Sequence, residues 1–326
     1  MVGEAKFSAR ELLIGRVAGL YNNSNIPIIL NNTDVKIKSF YKSNGETAGE
    51  LIKFKDRIYV YYYGSSDASE TLSIVSTAVD SLKCGDQTVH MYGAFKNKYD
   101  QSQQNLKDAL SELDPGNSIP ITFAGHSMGG ALAQIAALEY KSKNLESEVK
   151  VITFGGPRVF CRNGAHVYNK LLGENTLLIQ QIGDPVVHIP PPPMFNHAGY
   201  HRIRRYVKDP ASGTHLPNAY DDICGNITDQ DLTNTAQFAE TLKSRTELIL
   251  ERKSLEQQIK KDRELRIKKS LDLLSDGKLK SAISAIFMSE ARNKMREVQK
   301  NIDETLSRIN VDINLKIKEE KSQKTR

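Results

Sequence analysis

Residues 125–129 read Gly125-His126-Ser127-Met128-Gly129, a G-x-S-x-G pentapeptide whose chemistry would be nucleophilic attack by a serine hydroxyl. Alone, so short a pattern recurs by chance. Here the apolar run Ser118–Ala124 precedes it and the helical pattern Met128–Lys143 follows, so the expected context is strand, sharp turn, helix. Gly125 and Gly129 suit that turn because a Cβ on either side would meet neighbouring backbone, and Ser127 is expected to take a strained conformation. The helix dipole would favour negative charge beside it. A serine hydroxyl is a weak nucleophile at neutral pH, so it needs a histidine to take its proton and a carboxylate to fix that histidine's tautomer. Asp184 follows the strand-like run Thr176–Ile182, 57 residues after Ser127, which puts it at a strand's C-terminal end on the same sheet edge. Pro185 and Pro190–Pro193 predict a stiff, polyproline-like path after it. Four histidines follow Asp184, namely His188, His197, His201 and His215; residue type alone does not choose among them. A tetrahedral oxyanion would need two N–H donors, one of them normally the residue after the nucleophile, here Met128.

The elements that must position these groups come from periodicity. Leu51–Tyr63, Ser118–Ala124, Val149–Gly155 and Thr176–Ile182 are short apolar runs rich in β-branched residues, separated by helical patterns at Lys98–Leu113 and Met128–Lys143. That alternation predicts an α/β domain with a largely parallel sheet. Within 66–88, Leu72, Val75, Val79 and Leu82 fall at helical spacing, which predicts an amphipathic helix. From 231 onward the character changes: no Pro, no Tyr and a single Gly at 277. Met295, Val298, Ile302, Leu306, Ile309 and Ile313 repeat at steps of three and four, so 231–326 is expected to form a helical, coiled-coil-like hairpin. Residues 1–230 carry 23 Lys+Arg against 23 Asp+Glu and 231–326 carry 22 against 16, so the whole formal +6 lies in the second part.

Gly125–Leu132, Thr153–Val159, Asp184–Pro191 and His197-Ala198-Gly199 resemble, in order and approximate spacing, the successive blocks of the class 3 lipases of the α/β-hydrolase fold. The resemblance spans about residues 45–220. It implies a Ser-Asp-His relay in which His215, beyond the His-Ala-Gly block, is the base; Tyr220 matches an aromatic that follows the family's histidine. It implies a second oxyanion donor at Ser65, in the segment Tyr61–Ser66, although Tyr63 stands where the family usually has Arg. It also implies that the helix within 66–88 is a mobile lid over an acyl site. His126 is expected to be a packing residue rather than a base.

Composition sets the remaining bounds. Hydrophobic residues make up 39% and charged ones 26% of 326 residues, near the globular average, which excludes a wholly disordered chain. Cys84, Cys161 and Cys224 are widely spaced without a CxxC, so neither a disulfide framework nor a zinc site is signalled. No phosphate loop, dinucleotide fingerprint or H-E-x-x-H is present; no cofactor and no metal are expected. Glu4, Arg10, Glu11 and Arg16 interrupt what a signal peptide would need, so a cytoplasmic, reducing location is expected, with a dedicated secretion route left open. The C-terminal basic residues alternate with acids and almost no aromatics, against nucleic-acid binding. The expected function is cleavage of lipid carboxylic esters, of triacylglycerol lipase or phospholipase A1 type. A soluble-substrate esterase or thioesterase and a noncatalytic scaffold presenting the helices are the rivals. Partners follow: a lipid ester, self-association through the helices, and secondarily a membrane or lipid-aggregate surface.

Overall fold

The computed structural model describes residues 35–64, 78–206 and 215–235, with further positions at 7–8, 11–12, 239, 254, 257, 260, 261 and 264. Two compact units divide the chain, Met1–Ala239 and Glu240–Arg326.

In the first unit the strands are β1 (Val35–Tyr41), β2 (Thr47–Phe54), β3 (Arg57–Tyr62), β4 (Val79–Cys84), β5 (Gln87–Tyr92), β6 (Ile121–His126), β7 (Val149–Phe154), β8 (Phe160–Cys161), β9 (Thr176–Gln181), β10 (Phe195–Asn196) and β11 (His201–Arg205). The helices are α1 (Gly93–Asp100), α2 (Gln103–Leu113), α3 (Met128–Lys143), α4 (Arg162–Leu172) and α5 (Pro217–Gly225). A seven-stranded sheet runs β1-β2-β3-β6-β7-β9-β11, and a four-stranded one β10-β8-β5-β4. From β3 to β11 every pairing in the larger sheet is parallel; β1 and β2 are the antiparallel edge. This is the mostly parallel α/β-hydrolase architecture.

Burial explains the strand sequences. All six residues of β6 and all six of β9 are buried, so both sheet faces are covered and the strands read as continuous apolar runs. Helix α3 is buried at every position from Met128 to Glu139, as its Ala-rich first three turns require. Tyr99 and Gln103 both donate to the Glu139 carboxylate, with Lys143 Nζ at 2.7 Å. A buried charge is tolerable only with such partners.

Three local expectations change. The run Leu51–Tyr63 is two strands, because Lys55, at φ 55°, and Asp56 form a two-residue hairpin loop between the paired Phe54 and Arg57. The expected helix within 66–88 fails at its C-terminal half: Val79 and Leu82 lie on β4, which pairs antiparallel with β5. Leu82 and Cys84 point inward while Lys83 is exposed, a period of two that a spacing of three also fits over so few residues. Residues 65–77, including Ser65, Leu72 and Val75, lie outside the described residues. The Pro-rich segment is not one continuous polyproline path: Val186–His188 forms a 3₁₀ turn, and the Ile189–Pro190 and Pro192–Pro193 bonds are cis.

The hairpin expected over 231–326 lies almost wholly outside the described residues. Positions 254, 257, 260, 261 and 264 are helical and exposed. Residues 231–235 belong to the first unit, with Leu232 buried, Asp231 paired with Arg205, and Thr235 Oγ1 3.0 Å from His201 Nδ1. Among the described residues no helix is long and apolar enough to cross a membrane.

Candidate active site

Ser127 occupies the single residue between β6 and α3, at φ 56° and ψ −130°, a region that side chains with a Cβ rarely adopt. A Cβ on Gly125 would stand 2.3 Å from the Gly129 carbonyl, and one on Gly129 would stand 2.3 Å from Tyr62 O. The turn is therefore passable only with glycine at both places. The backbone N–H of Ser127 donates to Phe154 O of β7 at 2.9 Å, which ties the strained residue to the sheet.

The hydroxyl of Ser127 lies 2.7 Å from His215 Nε2, and His215 Nδ1 lies 2.8 Å from Asp184 Oδ2. Asp184, three residues beyond β9, is completely buried. Its Oδ1 accepts from Val186 N–H at 2.8 Å, and its Oδ2 also accepts from the Tyr220 hydroxyl. A carboxylate facing Nδ1 selects the tautomer with hydrogen there, leaving the Nε2 lone pair to accept from Ser127. Thus Ser127, Asp184 and His215 come together from 57 and 31 residues apart. His197 and His201 do not join them: His197 Nε2 lies 2.8 Å from Val187 O, and His201 is engaged by Thr235.

Two residues support His215. Tyr220, on α5, is buried, and its hydroxyl bridges the Asp184 carboxylate and Gln181 N–H at 3.2 Å. His126 stacks on His215, with ring centroids 4.9 Å apart, and its Nε2–H donates to the backbone carbonyl of His215 at 2.9 Å. Its own N–H is held by Tyr61 Oη at 3.0 Å. This supporting contact exists only once His215 is placed, so nothing local in the sequence signals it. Arg158 was visible only as part of a family block; its guanidinium donates to His188 O and to Pro190 O at 3.0 Å, while its N–H reaches Ile189 O at 2.7 Å. One residue thereby holds three consecutive carbonyls of the loop that carries Asp184.

Met128, first residue of α3, puts its N–H at the positive end of a 16-residue helix directly beside Ser127. A Cβ on Gly64 would be 2.9 Å from His126 O and 3.4 Å from Ser127 Cβ, so the chain leaving β3 passes against Ser127. Ser65, the next residue, is outside the described residues. Among the described residues there is no cluster of three His, Cys, Asp or Glu able to hold a metal ion.

His126 is pushed down to about 4 by burial first and then by His215. His197 is pushed down to about 3, again by burial first, then by Arg202, Arg158 and His188. Both are neutral in the fold, whereas an unfolded chain protonates them below about 6.5. Between about pH 6.5 and 4 the unfolded state therefore binds more protons, so stability present above 6.5 is lost as pH falls through that window. Denaturant titrations at pH 7, 5.5 and 4.5 should show this loss, and a smaller one in His197→Gln, whose amide can still donate to Val187 O. An identical pH dependence in the variant would remove His197 from the account.

Residues 59–194 match the family model described as Lipase (class 3), so this segment is similar to the class 3 lipases. Among curated relatives, phospholipase A1 EG1 of Oryza sativa subsp. indica is 37% identical over 127 residues, which is 38% of this chain and 29% of that protein. The secreted mono- and diacylglycerol lipase 2 of Gibberella zeae is 40% identical over 77 residues, 23% of this chain and 18% of that one. The chain thus spans less than a third of the length of either relative. Lipase II from Rhizopus niveus has the same fold, with TM-score 0.50 and 22% identity over 64% of this chain and 82% of its own.

Proposed function

We propose that the first unit hydrolyses carboxylic esters of lipids through an acyl-enzyme on Ser127. The observation that carries this reading is the hydrogen-bonded line Ser127 Oγ, His215 Nε2, His215 Nδ1, Asp184 Oδ2 at a strained turn before a helix. In this reading His215 takes the Ser127 proton as Oγ attacks the ester carbonyl, and returns it to the leaving alkoxide. Water then repeats the sequence on the acyl-enzyme. The tetrahedral oxyanion faces Met128 N–H, with Ser65 as the second donor. Buried Asp184 keeps the imidazolium paired while it exists. The lipid preference is supported by the relatives, whose names include phospholipase A1 and mono- and diacylglycerol lipase. The wide spacing of Cys84, Cys161 and Cys224, with no CxxC among them, supports a reducing, cytoplasmic location.

The test is mass spectrometry of products from mixed triacylglycerol and phospholipid, run with wild type and Ser127→Ala. Fatty acid release that depends on Ser127 is expected. Release from small nitrophenyl esters alone would favour the soluble-substrate esterase, and absence of fluorophosphonate labelling at Ser127 would favour the scaffold.

We propose also that the C-terminal helices are separable, serving self-association first and adsorption to anionic lipid second. Because Leu232 and Thr235 pack within the first unit, the informative truncation falls after Ala239. That chain should fold and retain soluble-ester turnover within about threefold, changing only in sedimentation or in activity on lipid aggregates. Insolubility would place the helices within the catalytic fold.

A further inference from the structure

On β11, Arg202 and Arg204 share one face, in register with Leu178 and Gln180 of β9. His197 lies over that face, its Nε2 3.2 Å from Gln180 Nε2 and 2.8 Å from Val187 O. The loop holding Val187 is the one clamped by Arg158, and His188 in it is exposed. The charged groups around this face are therefore the guanidiniums of Arg158, Arg202 and Arg204, with the Gln180 amide and the imidazoles of His188 and His197 beside them.

No described carboxylate is ion-paired with Arg158, Arg202 or Arg204; the acids that pair with arginine are elsewhere, on Arg57 and Arg205. The Nε of Arg202 is sealed from solvent and has no hydrogen-bond partner. Burial first, then Arg204 and Arg158, pushes Arg202 down to about 10, which still leaves it charged at neutral pH. A half-buried cation with like charges around it and no acid is a costly arrangement unless something else supplies the negative charge. A planar guanidinium fork matches a phosphate's oxygens.

We propose that Arg202, Arg204 and Arg158, with His188 and His197, form a binding site for a phosphate-type oxyanion beside the loop that carries Asp184. If the proposed lipid hydrolysis holds, on which this part rests, the oxyanion is the phosphate of a phospholipid head group, and the site gives a preference for phosphate-bearing lipids over neutral ones. Free phosphate is the other source with the same chemistry.

Two measurements on the full chain test this. In thermal unfolding, inorganic phosphate should raise the midpoint of the wild type by several degrees beyond sodium chloride at equal ionic strength. Arg202→Gln should lose that response, and should melt no lower than wild type without phosphate, because an unpaired charge has been removed. A side chain needed only for packing would lower that midpoint instead. Arg204→Gln, at an exposed position, gives a second reading if Arg202→Gln does not fold; a weakened response is expected. In the second measurement, turnover of phosphatidic acid relative to triacylglycerol in mixed micelles should fall about tenfold in either variant, each normalised to its own nitrophenyl butyrate turnover. A lost phosphate response with a lost preference identifies the head group; a lost response with the preference intact identifies free phosphate. Phosphate acting on both variants as on wild type, or no better than chloride on wild type, overturns the site. A wild type without nitrophenyl butyrate turnover would defeat the hydrolase reading while leaving the thermal result to judge the site.

Discussion

Ser127→Ala should reduce ester turnover by about 10⁴ to 10⁶, and the His215→Ala variant should fall as far. The double variant should be no slower than either, because hydroxyl and imidazole act as one unit and the second loss has nothing left to remove. Steady-state kinetics on nitrophenyl butyrate, with a fluorophosphonate titration of active sites, measures this. Retention of more than a tenth of the wild-type rate in Ser127→Ala would remove Ser127 from the chemistry. Folding gives a second readout. Ser127 at φ 56° stores backbone strain of about 1–3 kcal/mol, which alanine shares and glycine does not. Ser127→Gly should therefore be as inactive as Ser127→Ala yet melt at a higher temperature. Equal melting points would show that the elbow carries no strain worth relieving.

Those two residues differed greatly in how visible they were beforehand. The elbow is a local object: Gly125, Ser127 and Gly129 lie within five residues, and a buried strand and an Ala-rich helix flank them, so pattern and spacing suffice. Asp184 was readable because it closes the run of β9 on the same sheet edge as the elbow. His215 was not readable from the residues, since four histidines follow Asp184 and the choice rests on packing between segments 31 and 88 positions apart. Only the family resemblance singled it out. His126 shows the same limit from the other side: its motif position was plain, but its contact with the His215 carbonyl depends on where that distant residue lands.

Errors in the fold have a similarly physical origin. The pattern 79–84 is too short for its apolar positions to separate a period of two from one near 3.6. The Cys84–Gln87 hairpin, with Gly85 at φ 57° in its two-residue loop, is the decisive signal, and Gly-Asp between two short runs is what favours the strand reading. At Lys55-Asp56 no glycine marks the turn, and a lysine takes the left-handed conformation instead. Pairing of β2 with β3 compels it, which is tertiary structure overriding local preference.

Asp184→Asn should lower turnover by about 10⁴ with the fold retained. The aspartate's Oδ1 accepts from Val186 N–H, and an asparagine would keep its carbonyl there because only an oxygen can accept. Its NH₂ then faces His215 and the Tyr220 hydroxyl, where Asp184 Oδ2 now accepts from both. An amide donor opposite Nδ1 forces the imidazole hydrogen onto Nε2, so the base would present a donor to Ser127 Oγ, 2.7 Å away, when it must present a lone pair. Tyr220→Phe separates tautomer control from mere support. It removes one of three donors to the carboxylate but leaves the Nδ1 contact and the tautomer intact, so a loss of about tenfold or less is expected. Should Asp184→Asn keep more than a tenth of the wild-type rate, tautomer control by this carboxylate is wrong; should Tyr220→Phe lose as much as Asp184→Asn, the tyrosine is as necessary to the site as the carboxylate and is more than a support to it.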